Sequence, residues 1–221
     1  RQATQHYTVG SNSQIDLNAN THLHIAAGYQ QNERQEFDIR RGNRDSIPIV
    51  DLKLRTSHAE VSMDYNTSSL YTTFGLRYSH EENRPQSGTG TNPIIPFANT
   101  NSTSIFGALE KAFGEVTLFT GLRYEHIQRE VKYYTGQGDY VEERESPNLY
   151  AANLGLAWKG YRIDFSGIKR MANLYEQYAD GIHPAAAVII RGNSAIRSEQ
   201  VWQANVSLPF PSNNGWKIYN E

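Results

Sequence analysis

"LYTTFGLRYSH" (residues 70–80) and "VTLFTGLRYEH" (residues 116–126) are two versions of one pattern, and their reading decides the fold. In the first, Leu70, Thr72, Phe74, Leu76 and Tyr78 fall on one side of an extended chain, and Tyr71, Thr73, Gly75, Arg77 and Ser79 fall on the other. In the second, Val116, Leu118, Thr120, Leu122 and Tyr124 oppose Arg123 and Glu125. Successive side chains of a strand point to opposite faces. Strict alternation of this length therefore predicts a strand with one apolar and one polar face. The shared "GLRY" stands at the same place in both, at 75–78 and 121–124.

The pattern spreads outward in both directions. Tyr150, Ala152, Leu154, Leu156 and Trp158 repeat it, and Tyr161, Ile163 and Phe165 follow against Arg162 and Asp164. Trp202, Ala204, Val206 and Leu208 share a face near the end; Leu23, Ile25, Ala27 and Tyr29 do so near the start, in a phase that holds through Phe37 and Ile39. Short turns are predicted near 18–21, 66–69, 114–115, 159–160 and 209–215, and long connections near 42–48, 85–101, 135–147 and 172–199. Short and long alternate, so about ten strands run up and down with tight turns at one end. One stretch is out of step: Val50, Leu52 and Leu54 oppose the phase of Ala59, Val61, Met63 and Tyr65, which predicts a bulge near Ser57–His58.

Composition fits such a chain and narrows its chemistry. Fourteen Tyr against two Met, with many Asn, Thr, Ser and Gly, favour strands and turns. No cysteine is present, which excludes thiolate metal sites, thiol nucleophiles and disulfides. A net charge of −2 gives no electrostatic basis for nucleic-acid binding. No apolar run is long enough for a transmembrane helix, but barrel strands alternate and so leave hydropathy low. The sequence opens at Arg1 without a signal peptide, as a mature, trimmed or partial chain would.

Dimensions separate a membrane wall from a soluble sandwich. Leu70 to Tyr78, Val116 to Tyr124 and Tyr150 to Trp158 each span eight steps. At about 3.3 Å per step and a tilt of roughly 40°, that gives about 20 Å of height, close to the roughly 25 Å apolar band of outer-membrane barrels. Aromatics close the apolar face at both ends: Tyr65, Phe113, Trp158, Tyr161 and Trp216 by the short turns, and Tyr29, Tyr78, Tyr124, Tyr150 and Trp202 on the far side. The opposite face, with Arg77, Arg123, Glu125, Asn153, Arg162 and Asp164, suits a wet lumen better than a packed core. Sandwich strands average only about 5–6 residues, so the soluble alternative is disfavoured.

Two passages resemble a known family. "GYQQNERQEFDIRRGNRDSIPIVDLKLRT" (28–56) is similar to a mid-barrel segment of TonB-dependent outer-membrane receptors of the Bacteroidetes kind, in which an ascending strand ends in an "EFD-RRG" tip and a descending strand resumes after "IP". "NLYEQYADGIHPAAAVIIRGNSAIRSEQ" (173–200) resembles a long extracellular loop of the same family, through Asn173, Leu174, Tyr175, Gly181 and His183, then Gly192, Asn193, Ile196 and Glu199.

The resemblance implies an all-β fold: an antiparallel up-and-down transmembrane β-barrel of 22 strands, of which residues 1–221 supply about ten as an interior part of the barrel domain. Plug domain, TonB-contacting segment and closing C-terminal strand are not recognised, so the chain alone is expected to be inactive. The implied protein lies in the outer membrane of a Gram-negative cell, in contact with outer-membrane lipid and, through the plug, with the TonB complex. It imports a scarce chelate, a ferric siderophore first, with haem or cobalamin as further cargoes, and neither catalysis nor a resident cofactor is implied. A passive pore or a structural or adhesive barrel is the alternative, with an outer-membrane protease or lipase behind it.

Candidate ligand contacts lie in the 173–200 loop, where Tyr175, Tyr178 and Arg191 could embrace an anionic chelate. His183 is a further candidate, because haem receptors of the family ligate iron through a His between two signature stretches. Here those stretches read Lys169–Ala172 and Gly192–Ile196 and match poorly, which favours a solvated loop His. His22 and His24, two apart on one strand face, read as lumen surface rather than as a metal pair. Glu142, Glu143 and Glu145 read as a solvated cluster at a loop tip. No Ser-His-Asp spacing, phosphate loop or zinc-protease helix is present.

Overall fold

The computed structural model describes residues 1–37, 47–86, 88–89, 93–135, 138–183 and 188–209. Most of the "EFD-RRG" tip, the last short turn and Trp216 lie outside them. Nearly everything else is one antiparallel sheet. Its strands are β1 (Gln2–Asn18), β2 (Thr21–Glu36), β3 (Val50–Asn66), β4 (Leu70–Pro85), β5 (Phe97–Phe113), β6 (Val116–Tyr134), β7 (Tyr140–Glu145), β8 (Asn148–Trp158), β9 (Tyr161–Arg170) and β12 (Glu199–Ser207). From β1 to β6 each pairs with the next, β7 and β8 both pair with β6, and β9 lies between β8 and β12. β7 and β8 are two halves of one line. Arg129 opposite Glu145 and His126 opposite Asn148 keep one register, broken only at Ser146–Pro147, where the proline nitrogen has no hydrogen to donate.

Cross-strand registry sets the faces expected from sequence. Ile25, Val61, Leu76, Ile105 and Tyr124 form one row on the apolar face, and Leu122, Ala152, Gly167 and Trp202 lie in the next. These side chains cover no core: Leu122 is 67% exposed and Ile163 61%. A contiguous apolar surface of this extent is a contact face, and its height makes that contact lipid. The outer girdle gives the strand tilt. Trp202 lies level, through successive partners, with Leu23, six positions below Tyr29 on the same strand. Six residues are roughly 20 Å, gained over seven strand spacings of roughly 34 Å, so a level membrane line demands a tilt of about 30°.

The repeated "GLRY" acquires a structural meaning at that girdle. Tyr78 donates its hydroxyl to Asn101 at 2.8 Å, and His80 Nδ1 lies 2.9 Å from the same amide oxygen. Tyr124 and His126 make the same pair of contacts to Asn148, at 2.9 and 2.8 Å. At the short-turn end Trp158 and Tyr161 stack with centroids 5.8 Å apart. The polar face is a lattice of short-range pairs: Arg77 with Glu60 at 3.6 Å, Arg123 with Glu125 at 3.2 Å, and Arg162 bidentate on Asp164 at 2.7 and 2.9 Å. His22 pairs with Asp16 and His24 with Asp64, so each has its own carboxylate.

Three sequence expectations are corrected. No bulge interrupts β3, whose register with β2 and β4 runs unbroken from end to end. The irregularity lies instead in β1, between Asp16 and Asn18. Val50, Leu52 and Leu54 are out of phase because the strand has left the membrane there and its inward face meets other loops. The connection near 85–101 is shorter than expected, since β5 starts at Phe97. So is that near 135–147: β6 continues to Tyr134 and Tyr140–Glu145 is strand, so the glutamates are not a loop tip. Lys132 pairs with Glu142 and Arg144 with Glu130 across this hairpin, and opposed charges of that kind support strand pairing.

Glycines on the polar face hold aromatic rings against the sheet. A Cβ on Gly155 would collide with the edge of the Phe119 ring, over which the Arg162 guanidinium lies at 3.9 Å. We expect Gly155→Ala to displace that ring and cost about 1 kcal/mol, the lower end of overpacking because a ring can turn aside. Urea unfolding in lipid vesicles measures it, and an unchanged midpoint would show that the ring contact contributes nothing.

Candidate ligand-binding mouth

Between β9 and β12 the chain leaves the sheet for residues 171–198 and makes its own small structure. Asn173 caps helix α1 (Leu174–Tyr178): its side chain accepts from Glu176 N–H, and Glu176 accepts from Asn173 N–H, both at 2.8 Å. This reciprocal cap satisfies donors that a one-turn helix otherwise leaves to water. A hairpin follows, of β10 (Asp180–His183) and β11 (Val188–Arg191). Its base is pressed onto the helix through Gly192 N–H to Ala179 O, 2.6 Å, and Asn193 N–H to Glu176 O, 2.9 Å. Arg170 grips Glu176 and Glu199 at the two points where the loop leaves and rejoins the sheet.

The loop folds onto the polar face instead of standing away from the sheet. Tyr178, 7% exposed, packs with Ala98 and Val131, and its ring meets Tyr133 at 5.4 Å. Its hydroxyl donates to Glu143 at 2.9 Å and to Glu145 at 3.2 Å. Arg129, 9% exposed, donates to Gln177 Oε1 at 2.8 Å and Ala172 O at 3.2 Å, with Glu145 at 3.6 Å. Gln177 in turn donates to Glu145 at 3.0 Å. Glu143 and Glu145, read from sequence as part of a solvated cluster, are thus the seat of the loop. Asp180 N–H donates to Ile94 O at 3.2 Å, tying the 86–96 connection to the same assembly.

Two of the clefts around it take sequence candidates. One, of about 910 Å³, is lined by Phe97, Tyr133, Tyr134, Tyr140, Tyr178 and Arg191, among others. The second, of about 130 Å³, takes Tyr175, which is 40% exposed. Pro85 and Pro93 line both. Of the four sequence candidates, Tyr178 and Arg191 therefore share a cleft, Tyr175 faces the other, and Tyr178 is mainly a buried support. The backbone of His183 pairs with Val188, at the end of the hairpin where β10 leads into β11, and its side chain lies outside the described residues. Sequence reasoning missed Arg129, Glu143, Glu145 and Gln177. Only the inward parity of Arg129, Glu143 and Glu145 on their strands could have indicated three of them.

Protonation of the seat follows from these contacts. The Arg170 guanidinium, and then the Asn173 N–H, hold the Glu176 carboxyl below its ordinary 4.5. That contribution is complete above pH 4.5 and is lost as pH falls through the lowered value. Burial first, and then Glu143, push the Tyr178 phenol above its ordinary 10.0; its contribution is complete below pH 10.0 and is lost as pH rises beyond it. We expect the anisotropy of a dye on Ser194→Cys, the sole thiol, to stay level between these limits and fall outside both. A steady drift across the neutral range would refute the assignment.

Comparison with known proteins agrees with this architecture. The family described as "TonB dependent receptor-like, beta-barrel" matches residues 1–219. No curated protein matches significantly in sequence. Among solved structures, one titled "Copper transporter OprC" superposes with a TM-score of 0.68 at 12% identity, over 95% of this chain and 37% of that one. At that identity the likeness concerns the fold, and the chain spans little over a third of the matched protein's length. Polar face, long connections and lipid-facing belt thereby become lumen, extracellular loops and outer-membrane contact, and the chain belongs to the TonB-dependent receptor-like β-barrel family of the Gram-negative outer membrane.

Proposed function

We propose that this chain forms part of the wall and the ligand-facing mouth of a TonB-dependent transporter that imports a scarce metal chelate. In this reading residues 1–221 are a portion of one barrel domain, and a plug elsewhere in the protein carries the TonB contact. The observation that supports it best is the loop 171–198, seated inward over the lumen by a buried network. An inert wall has no use for a loop held there. Arg191 and the tyrosines of the larger cleft offer a cation and π-faces to an anionic, metal-bearing ligand, and Tyr175 offers a contact from the other side. His183, in the same hairpin, is kept as a further candidate contact. The role is transport, not catalysis. A ferric siderophore is the preferred cargo, with haem next; the fold relative named as a copper transporter makes a copper chelate worth including.

Growth of a deletion strain on single iron, haem and copper sources tests the reading. Loss of growth on one source, restored by the wild-type gene and about tenfold less well by Arg191→Glu, is expected. Full growth on every source would overturn it.

A further inference from the structure

The polar face of β3 changes character along its length. Asp64, Ser62, Glu60, His58 and Thr56 are polar, yet Leu54, Leu52 and Val50 continue the same face above them. A lumen wall needs no such side chains, and neither the girdles nor the loop seat uses Val50 or Leu52. With Pro85 of β4, Ile94 and Ile95 ahead of β5 and Tyr175 of α1, they line the open 130 Å³ cleft. The polar groups Arg34, Glu36, Asp51, Gln86 and Thr89 also line it; Arg34 and Glu36 pair with each other, and Asp51 accepts from Gln35 at 2.8 Å. Its apolar floor of Val50, Leu52, Ile94 and Ile95 is of a size that suits a small ring; an engineered apolar cavity of about 150 Å³ binds benzene.

We propose that this cavity is an apolar subsite of the mouth, which takes an uncharged group of phenyl or short-alkyl size. Its position across Pro85 and Pro93 from the Arg191 cleft makes the ligand amphiphilic: an apolar appendage in one compartment and an anionic head in the other. This rests on the reading of the mouth as a ligand site, and names what such a ligand must carry. The two compartments are built by different segments. Val50, Leu52, Ile94, Ile95 and Tyr175 face the appendage, while Tyr133, Tyr134, Tyr140 and Arg191 face the head.

Methyl NMR of the intact receptor, labelled at isoleucine and titrated with phenylacetate, benzyl alcohol and acetate, tests the subsite. Phenylacetate and benzyl alcohol should shift the Ile94 and Ile95 methyls saturably, and acetate should leave them in place. Leu52→Trp, which fills the cavity, should weaken both aryl probes at least tenfold. Ile95→Ala, which enlarges it, should move the preference from phenylacetate to 1-naphthylacetate and guards against a misfolded tryptophan variant. Arg191→Ala should weaken phenylacetate and leave benzyl alcohol unchanged. Absent or non-saturating aryl shifts, equal shifts by acetate, or indifference to both cavity variants would each overturn the subsite. Because binding is read without transport, such a failure is distinct from a failure of the transporter reading, which the growth test reports.

Discussion

Arg129→Met should release the 171–198 loop, at a cost of about 3 kcal/mol. The guanidinium is 9% exposed and serves Gln177 Oε1, Ala172 O and Glu145 together. Removing one member of a buried pair strands the other charge, which typically costs about 3–5 kcal/mol. Here the loop can open to water and resolvate Gln177 and the Ala172 carbonyl, so the lower figure applies. Every 1.4 kcal/mol is about tenfold, so the open fraction should rise about a hundredfold, read as tryptic cleavage after Arg191 and Arg197. Arg170→Met is the contrast. Its ion pairs to Glu176 and Glu199 are exposed, and such pairs contribute about 1 kcal/mol or less. Equal cleavage in wild type and Arg129→Met would remove the buried network from the account.

Gly192→Ala should unseat the hairpin from the helix, at about 2 kcal/mol, a middle value for overpacking against a fixed neighbour. A Cβ at that position would lie 2.5 Å from the Gln177 carbonyl carbon and 2.6 Å from both Gln177 O and Tyr178 N. Those are backbone atoms of α1, held by its cap and by Arg129, so they cannot swing away as the Phe119 ring can. Gly192 N–H would also leave Ala179 O. About thirtyfold faster cleavage is expected, and Ser194→Ala, on an exposed neighbour, should change nothing. Both large substitutions open the same loop, so their effects should combine to less than their sum. Wild-type cleavage in Gly192→Ala would mean that helix and hairpin do not touch as described.

How far the sequence carried is clearest at particular residues. Period two in residues 70–80 and 116–126 was enough for strands, faces and both girdles, because each strand crosses the membrane with one wet and one greasy side. Long uninterrupted strands leave little else for such a pattern to be. The seat of the loop was not legible. Tyr178 reaches Glu143 and Gln177 reaches Arg129 across 35 and 48 residues, and no local spacing encodes those distances. Glu142, Glu143 and Glu145 looked like a solvated run because their partners, Lys132, Tyr178 and Arg129, become visible only with the register known. Val50, Leu52 and Leu54 broke the phase on paper and suggested a bulge. In three dimensions the strand is regular, and what changes is its surroundings.

Arg191 is the candidate on which sequence and structure bear most evenly. Its identity drew attention as an anion contact, and the structure sets it beside Tyr178 in the larger cleft. Tyr178 shows the opposite case, since a tyrosine in a long loop looked like a ligand contact and has its hydroxyl engaged by two carboxylates.

Uptake of a radiolabelled metal chelate by cells carrying the intact receptor, in strains with and without TonB, tests the central claim most directly. The account predicts saturable uptake of the chelate that supports growth, abolished without TonB and reduced by Gly192→Ala in proportion to loop opening. Uptake that proceeds equally without TonB, or that rises without saturation, would make the barrel a passive pore and contradict the account.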